Sequence, residues 1–233
     1  MNQGYPTSSQ GAWSGAKVDP RAAFITRTYN HLFGAVVLFT LIELALFQSG
    51  AAASIAAAMA GTSWLLVLGG FMLVSWLASR VASGSASMPA QYAALGGFVL
   101  AQAIIFVPLL FMANTYAPGT IQSAGMVTVV GFAGLTAVVF TTRKDFSFLG
   151  GLLRWGGIVA LVMIAAGVLF GFQLGTFFSV AMVGFAGAAI LFDTSNVLHH
   201  FPEDRYVAAA LQLFSSVALM FWYVLRLFIG SRE

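Results

Sequence analysis

Long apolar runs, separated by short polar or Gly/Pro-containing segments, dominate this sequence of 233 residues. Only 7% of its residues are charged, whereas an ordinary soluble domain carries about 25%. So few charges cannot cover a water-exposed surface, and about 20 consecutive apolar residues are enough to cross a membrane as a helix. The composition therefore excludes a soluble enzyme, a nucleic-acid-binding domain and a disordered chain, and it predicts a polytopic membrane protein.

The positions of the apolar runs predict an all-α membrane protein, a bundle of seven transmembrane helices. The predicted spans are His31–Gln48, Ser63–Arg80, Gln91–Met112, Ile121–Phe140, Trp155–Phe172, Thr176–Leu198 and Tyr206–Ile229. The alanine-rich segment 51–60 is expected to extend the second span or to form a short interfacial helix of its own. Residues 1–27 are predicted to be a disordered polar tail, not a signal peptide, and residues 28–233 the transmembrane domain.

The basic residues are distributed unequally between the two sides of the predicted bundle. Eight of the ten Lys and Arg residues fall on the side of the N-terminal tail, and only Arg226 and Arg232 fall on the other side. An excess of Lys and Arg marks cytoplasmic segments. We therefore expect a cytoplasmic N-terminus, an external C-terminus and an odd number of spans.

Ionisable side chains inside the spans are the candidate functional residues, because each costs roughly 2.5–3.5 kcal/mol to insert. Asp193 lies near the cytoplasmic end of the sixth span, and Glu43 lies near the external end of the first span. Arg80 is level with Asp193, and Arg226 is level with Glu43. The depths predict an inner Asp193–Arg80 contact and an outer Glu43–Arg226 contact. Alternatively, both arginines are close enough to helix ends to snorkel to the membrane surface.

Polar residues follow Asp193 along one face of its helix. Asn196 and His200 occur three and seven positions after it, spacings that share a helix face. A charged Asp193 carboxylate would hold helices together through its ion pair, and protonation would release them. The alternative for Asp193 is a purely structural role in a cluster of polar side chains. The alternative for Glu43 is a protonated side chain that serves only in packing.

Catalysis is not expected from this sequence, and no resident cofactor is predicted. The chain has no cysteine, which excludes disulfides, a thiol nucleophile and Cys-ligated metals. An aspartyl protease needs two membrane carboxylates of complementary protonation, and Asp193 is the one plausible aspartate. A zinc protease needs the H-E-x-x-H pattern, which this sequence does not contain. The polar residues after the sixth span match no ligand spacing, and we interpret them as a solvated loop: His199, His200, Glu203 and Asp204.

Several segments resemble the transmembrane Bax inhibitor motif family. The sequence Thr-Thr-Arg-Lys-Asp-Phe-Ser-Phe-Leu-Gly-Gly at 141–151 resembles the family signature, and Phe-Asp-Thr-Ser-Asn at 192–196 resembles its sixth-helix motif. Residues 210–214 and 221–228 are similar to the seventh helix of the family. The resemblance covers roughly Arg21 to the C-terminus and fits the bacterial YccA-like branch best.

This resemblance implies an inner-membrane bundle with the last helix at its centre. It also implies a pH-sensitive calcium leak, controlled by aspartates on the sixth and seventh helices and locked by an arginine of the second helix. Asp193 matches the first aspartate, and Arg80 is the best candidate for the arginine. The position of the second aspartate falls on Ser216. Calcium binding would therefore depend on one carboxylate, that of Asp193, together with hydroxyl and carbonyl oxygens. With so little charge around the ion, Asp193 is a weak calcium ligand.

Two functions follow from these observations. The first is a pH-modulated cation (calcium) leak gated by Asp193 with Arg80, and it is preferred because Asp193, Asn196 and Arg80 form a coherent gate. The second is a non-transporting regulator of a membrane-bound AAA protease or another membrane partner, since YccA-like relatives also lack the second aspartate. The lipid bilayer is the expected environment, and the sequence indicates no nucleic-acid partner and no oligomeric state.

Overall fold

The structure is a computed structural model that describes residues 19–84 and 87–231. These residues form eight helices and no strand: α1 Pro20–Gln48, α2 Ala51–Ala60, α3 Trp64–Ser83, α4 Met88–Tyr116, α5 Thr120–Thr142, α6 Leu149–Phe170, α7 Thr176–His199 and α8 Tyr206–Gly230. All but α2 are long and apolar enough to cross a membrane, seven in number. The predicted all-α bundle of seven spans is confirmed, and the alanine-rich segment forms a separate helix.

Helix α1 begins at Pro20, well before the predicted start of the first span at His31. The Asp19 side chain accepts a hydrogen bond of 3.0 Å from the backbone N–H of Arg21, and Pro20 occupies the first helical position. Both features favour a helix start. Residues 20–27, assigned from the sequence to the polar tail, are therefore helical. The rest of that tail, residues 1–18, lies outside the described residues, as do 85–86 and 232–233.

Helix α8 occupies the centre of the bundle, as the family resemblance implies. It packs against α1, α3, α4, α5 and α7. Half of its most apolar stretch is buried within the protein (50%), compared with 6% for the peripheral helix α6. Helix α4 is the other central element. The face that these two helices present to each other forms much of the apolar core.

The helices alternate in direction, so each end of the bundle collects every second connection. We term one of them the basic end; it carries the start of α1, the α5–α6 loop and the α7–α8 loop, with Arg21, Arg80, Arg143, Lys144 and Arg205. The Arg21 guanidinium donates to the carbonyl oxygens of Leu198 and Phe201, at 3.1 and 2.5 Å. A cation in this position satisfies the free carbonyls at the C-terminus of α7. The first turn of α1 is thereby fixed to the end of α7.

Candidate functional site

Asp193 is buried between α7 and α8, with 3% of its surface exposed. Its two carboxylate oxygens accept hydrogen bonds from α8: the Gln212 amide donates to one and the Ser216 hydroxyl to the other, both at 2.5 Å. Gln212 and Ser216 are four residues apart and therefore share one face of that helix. We term these three residues the Asp193 cluster. Both oxygens of the buried carboxylate are thus satisfied by neutral donors from a single helix.

The predicted contact between Asp193 and Arg80 is not formed. Arg80 is exposed in the last turn of α3, where its guanidinium lies 5.5 Å from the centre of the Trp76 ring. The two ion pairs among the described residues are His200–Asp145 and Arg205–Asp204. Helix α3 packs on α4 and α8 but does not contact α7. Equal depth along the bundle axis therefore did not make the two residues neighbours.

The predicted contact between Glu43 and Arg226 is not formed either. The Arg226 guanidinium donates to the carbonyl oxygen of Leu174 at 3.1 Å, which turns it towards the α6–α7 loop. Glu43 is 7% exposed, and within the described residues no hydrogen bond reaches either of its carboxylate oxygens. The two side chains leave their helices in different directions, although α1 and α8 pack together.

Glu43 lines a cleft of about 520 Å³, the Glu43 cleft, in the half of the bundle away from the basic end. The cleft is bordered by α1, α4, α5 and α8, and most of its walls are apolar. Its other polar side chains are Thr40, Asn114, Gln122 and Thr128. Unpaired carboxylates are rare in protein interiors, because removing one from water without a hydrogen bond is costly. Glu43 is therefore the second candidate functional carboxylate.

The predicted polar stripe after Asp193 is interrupted at the end of α7. The carbonyl oxygen of Asn196 accepts hydrogen bonds from the backbone N–H groups of His200 and Phe201, both at 2.8 Å. These bonds end the helix, and His200 adopts a non-helical conformation. Asn196 therefore remains on the helix face of Asp193, whereas the His200 side chain turns away towards the α5–α6 loop.

His200 contacts a carboxylate, that of Asp145, which the sequence patterns did not assign to any site. Its Nε2 lies 2.9 Å from Oδ2 of Asp145, which belongs to the signature-like segment between α5 and α6. The Ser195 hydroxyl donates to Oδ1 of Asp145 at 3.4 Å and accepts the N–H of Phe146 at 2.9 Å. We term Asp145, Ser195 and His200 the Asp145 latch. The position of Asp145 in the signature was the signal that could have identified it.

Asp145 and His200 of the latch are exposed, whereas Ser195 is buried, and the electrostatics of Asp145 are set by nearby donors. The backbone N–H of Ser147 donates to Asp145 at 2.8 Å. This bond, followed by the one to His200, lowers the pKa of Asp145 from its usual value to about 2. The Asp145 carboxylate is therefore ionised at any physiological pH, and the latch ties the α5–α6 loop to the end of α7.

Metal-binding capacity is limited in the described part of the chain. No three His, Cys, Asp or Glu side chains converge there. Asp193 has both oxygens occupied by Gln212 and Ser216. Calcium sites use six to eight oxygen ligands, so an ion at Asp193 would have to displace these donors or recruit their oxygens. The cluster is better suited to a proton than to a resident metal.

Comparison with known proteins agrees with the resemblance of the motifs. Residues 21–233 match the family described as "Inhibitor of apoptosis-promoting Bax1". The protein named "Modulator of FtsH protease YccA" from Escherichia coli is 32% identical over 192 residues, covering 77% of this chain and 81% of that protein. An uncharacterized Pseudomonas aeruginosa protein is 38% identical over 111 residues, about half of each chain. Bax inhibitor 1 of Schizosaccharomyces pombe is 30% identical over 141 residues, 58% of this chain and 48% of that protein. This chain belongs to the Bax inhibitor family of membrane proteins.

Proposed function

We propose that this chain is a passive, pH-modulated cation leak pathway, with calcium as the expected cation, in a bacterial inner membrane. The observation that carries the proposal is the Asp193 cluster, in which one buried carboxylate joins α7 to the central helix α8. Ionisable residues inside membrane bundles generally mark ion or proton pathways. The gate that we propose consists of Asp193 with Gln212 and Ser216, and Arg80 has no part in it.

Protonation of Asp193 would weaken the joint between α7 and α8. An ionised carboxylate only accepts hydrogen bonds, whereas a protonated one turns one oxygen into a donor. Gln212 and Ser216 both donate to Asp193 in the structure. One of these two bonds would have to break or reverse on protonation, and both would lose the negative charge that makes a hydrogen bond roughly twice as strong. A lower pH is therefore expected to loosen the packing of α8 on α7 and to favour conduction.

Phe214 connects this joint to the opposite half of the bundle. It lies on the same turn of α8 as the donors to Asp193 and packs edge-to-face on Phe39 and Phe98, with ring centres 6.2 and 6.1 Å apart. It also lines the Glu43 cleft. A shift of α8 would therefore move these aromatic contacts and change the shape of the Glu43 cleft.

A small number of charged ligands suits a conducted ion. Conduction requires binding that is favourable enough for entry and weak enough for exit. In this proposal a cation in the Glu43 cleft meets one carboxylate with amide and hydroxyl oxygens, including those of Asn114 and Gln122. It then meets a second carboxylate at Asp193. Neither position offers the carboxylates of a tight calcium site.

Calcium flux into dye-loaded proteoliposomes between pH 8 and pH 5 tests the proposal. The native protein should conduct more as the pH falls. Asp193→Asn should raise the flux at pH 8 and flatten its pH dependence, because the amide can accept from only one of the two donors. Ser216→Ala should raise the flux and keep the pH dependence, since one bond to Asp193 remains.

Asp204→Asn is the matched control, because Asp204 is an exposed carboxylate at the same end of the bundle. It should leave both the flux and its pH dependence unchanged. Flux no greater than that of empty liposomes in every variant would refute the leak. A pH response that persists in Asp193→Asn would show that another group controls the pathway.

A second candidate function is modulation of a membrane-bound AAA protease. The observation in its favour is the similarity to the Escherichia coli protein whose name is "Modulator of FtsH protease YccA", which this chain matches over 81% of that protein. Co-reconstitution with such a protease and measurement of the degradation rate of a membrane substrate tests it. In this proposal the polar N-terminal tail engages the protease. Deletion of residues 1–18 should therefore abolish modulation and leave cation flux unchanged, whereas Asp193→Asn should change only the flux.

The orientation that we propose places the basic end in the cytoplasm, as the distribution of Lys and Arg favours. The chain contains no cysteine, so single cysteines can be introduced without removing any. Lys144→Cys should be protected from a membrane-impermeant maleimide in intact cells from which the outer membrane has been removed. Ser231→Cys should be labelled. The reverse pattern would invert the proposed orientation.

A further inference from the structure

A second cleft opens between α3 and α6 in the half of the bundle away from the basic end. Its volume of about 630 Å³ lies within the range of roughly 300–1,000 Å³ typical of small-ligand sites. Helices α4 and α8 form its floor. We term it the α3–α6 cleft. Its walls are mainly apolar and include Trp64, Phe71, Leu161, Ile164, Leu219 and Trp222.

Arg226 is the charged residue that lines the α3–α6 cleft. It belongs to the last turns of α8, and one of its nitrogens donates to the carbonyl oxygen of Leu174. Neither ion pair among the described residues includes Arg226. The other polar side chains that line the cleft are neutral: Gln102, Gln173, Ser215 and Tyr223. The cleft therefore combines an apolar interior with a cation that has no counter-anion in the described chain.

The depth of the α3–α6 cleft corresponds to one leaflet of a bilayer. It extends along α8 from Arg226 to Ser215, a distance of about 16 Å at the rise of an α-helix. The hydrocarbon core of a membrane is about 30 Å thick, so one leaflet contributes about 15 Å. Arg226 is also near the helix end, at the level where lipid headgroups meet the hydrocarbon.

We propose that the α3–α6 cleft binds one anionic membrane phospholipid, with its headgroup on Arg226 and an acyl chain between α3 and α6. A cation at the mouth of an apolar pocket between transmembrane helices attracts an anionic headgroup, as do the basic pockets on the cytoplasmic side of membranes that bind such headgroups. Met72 of α3 and Val168 of α6 line the cleft and are exposed on the outer surface of the bundle, so a lipid can enter from the bilayer. A further transmembrane helix, about 10–12 Å in diameter, would not fit the same opening, because α3 and α6 still contact each other.

Tryptophan fluorescence provides a direct readout of this site. Trp64 and Trp222 line the cleft, and their rings stack with centres 6.2 Å apart. The other three tryptophans can be replaced by phenylalanine: Trp13, Trp76 and Trp155. The protein is then reconstituted in mixed vesicles of phosphatidylglycerol and phosphatidylcholine, with brominated acyl chains on one lipid at a time. Bromine quenches tryptophan only at short range, so quenching reports which lipid occupies the cleft.

The native site should prefer phosphatidylglycerol by about fivefold, the factor expected of one basic residue near a membrane surface. Arg226→Gln should remove the preference, and Arg226→Lys should retain it, since it preserves the charge. Equal quenching by the two lipids in the native protein, as expected for bulk lipid or for a partner helix in the cleft, would overturn the proposal. A preference that survives Arg226→Gln would also overturn it.

Filling the cleft tests the position of the acyl chain. The double variant Leu161→Phe, Ile164→Phe narrows the cleft from the α6 wall and should reduce quenching by both lipids. The double variant Val162→Phe, Met163→Phe adds the same volume to the exposed face of α6, where these side chains are 62% and 40% exposed, and should not reduce it. Equal effects of the two double variants would overturn the placement of the chain between α3 and α6.

Discussion

The two halves of this bundle are built from the same helices, but their buried carboxyl groups, Asp193 and Glu43, differ in their hydrogen bonding. In the basic half, Asp193 receives a hydrogen bond on each oxygen, and Arg21 satisfies carbonyls at the end of α7. In the opposite half, Glu43 has no hydrogen bond within the described chain, and two clefts of about 520 and 630 Å³ open. The difference identifies the α7–α8 joint as the fixed part of the molecule. The opposite half is where ligands and rearrangements can be accommodated.

Asp193→Leu should have the largest effect on stability, because it removes the hydrogen bonds that join α7 to α8 in the basic half. The Gln212 amide and the Ser216 hydroxyl would lose their acceptor, and each buried group left without a partner costs about 1–3 kcal/mol. The melting temperature of the detergent-solubilised protein, followed by the helical circular-dichroism signal, should fall. Asp193→Asn retains one acceptor oxygen and should cost less. An unchanged melting temperature in Asp193→Leu would show that the joint does not depend on the carboxylate.

Glu43→Leu should change stability in the opposite direction. It removes a buried carboxyl group that no hydrogen bond of the described chain compensates, a defect worth about 1–3 kcal/mol. The melting temperature should therefore rise in the same assay in which Asp193→Leu lowers it. Thr40→Val is the control, since it alters another polar residue of the Glu43 cleft without removing a carboxyl group. A lower melting temperature of Glu43→Leu would mean that Glu43 has a stabilising partner. The buried carboxyl groups of the two halves would then not differ in their contribution to stability.

Hydropathy was sufficient to predict the class of fold and the number of spans, because a transmembrane helix requires a long apolar run. It was less informative at the start of α1, where the first turns carry Arg21, Arg27 and other polar residues. A capping residue, Asp19, followed by Pro20 marks this start instead, and capping signals are independent of hydropathy. The start of α1 could therefore be predicted from the sequence, but from its capping residues and not from the hydropathy that predicted the spans.

Depth in the membrane can be read from the sequence, but the lateral arrangement of helices cannot. Asp193 and Arg80 are level, yet α3 and α7 do not touch. The motif resemblance was more informative, because it aligned Asp193 and Ser216 with the two control aspartates that it implies, and the two residues are hydrogen-bonded here. Gln212 lies one helical turn before Ser216, so the same register could have identified it. Neighbouring helices are determined by packing between small and large side chains, which single-sequence patterns do not encode.

The tight packing of the basic half can be tested at a glycine. A β-carbon added at Gly150 on α6 would lie 2.9 Å from Cε2 of Phe192 on α7, whereas one at Gly151 would have no atom within 4 Å. Gly150→Ala should therefore destabilise the protein by about 1 kcal/mol through overpacking. Gly151→Ala should be neutral or slightly stabilising, since alanine is the better helix former. Equal melting temperatures of the two variants would show that α6 is free to move away from α7.

The smallest effect is expected at the Asp145 latch, because its two ionisable groups, Asp145 and His200, are exposed to solvent. The Ser147 N–H and then His200 lower the pKa of Asp145 to about 2. A carboxylate with a lowered pKa in the folded state contributes stability above its ordinary pKa of 3.8, and this contribution is lost as the pH falls through about 2. The melting temperature of the native protein should therefore decrease more between pH 4 and pH 2 than that of Asp145→Asn. His200→Gln should give an intermediate slope, because the Ser147 N–H remains. Identical slopes for the native protein and Asp145→Asn would show that the latch does not contribute to stability.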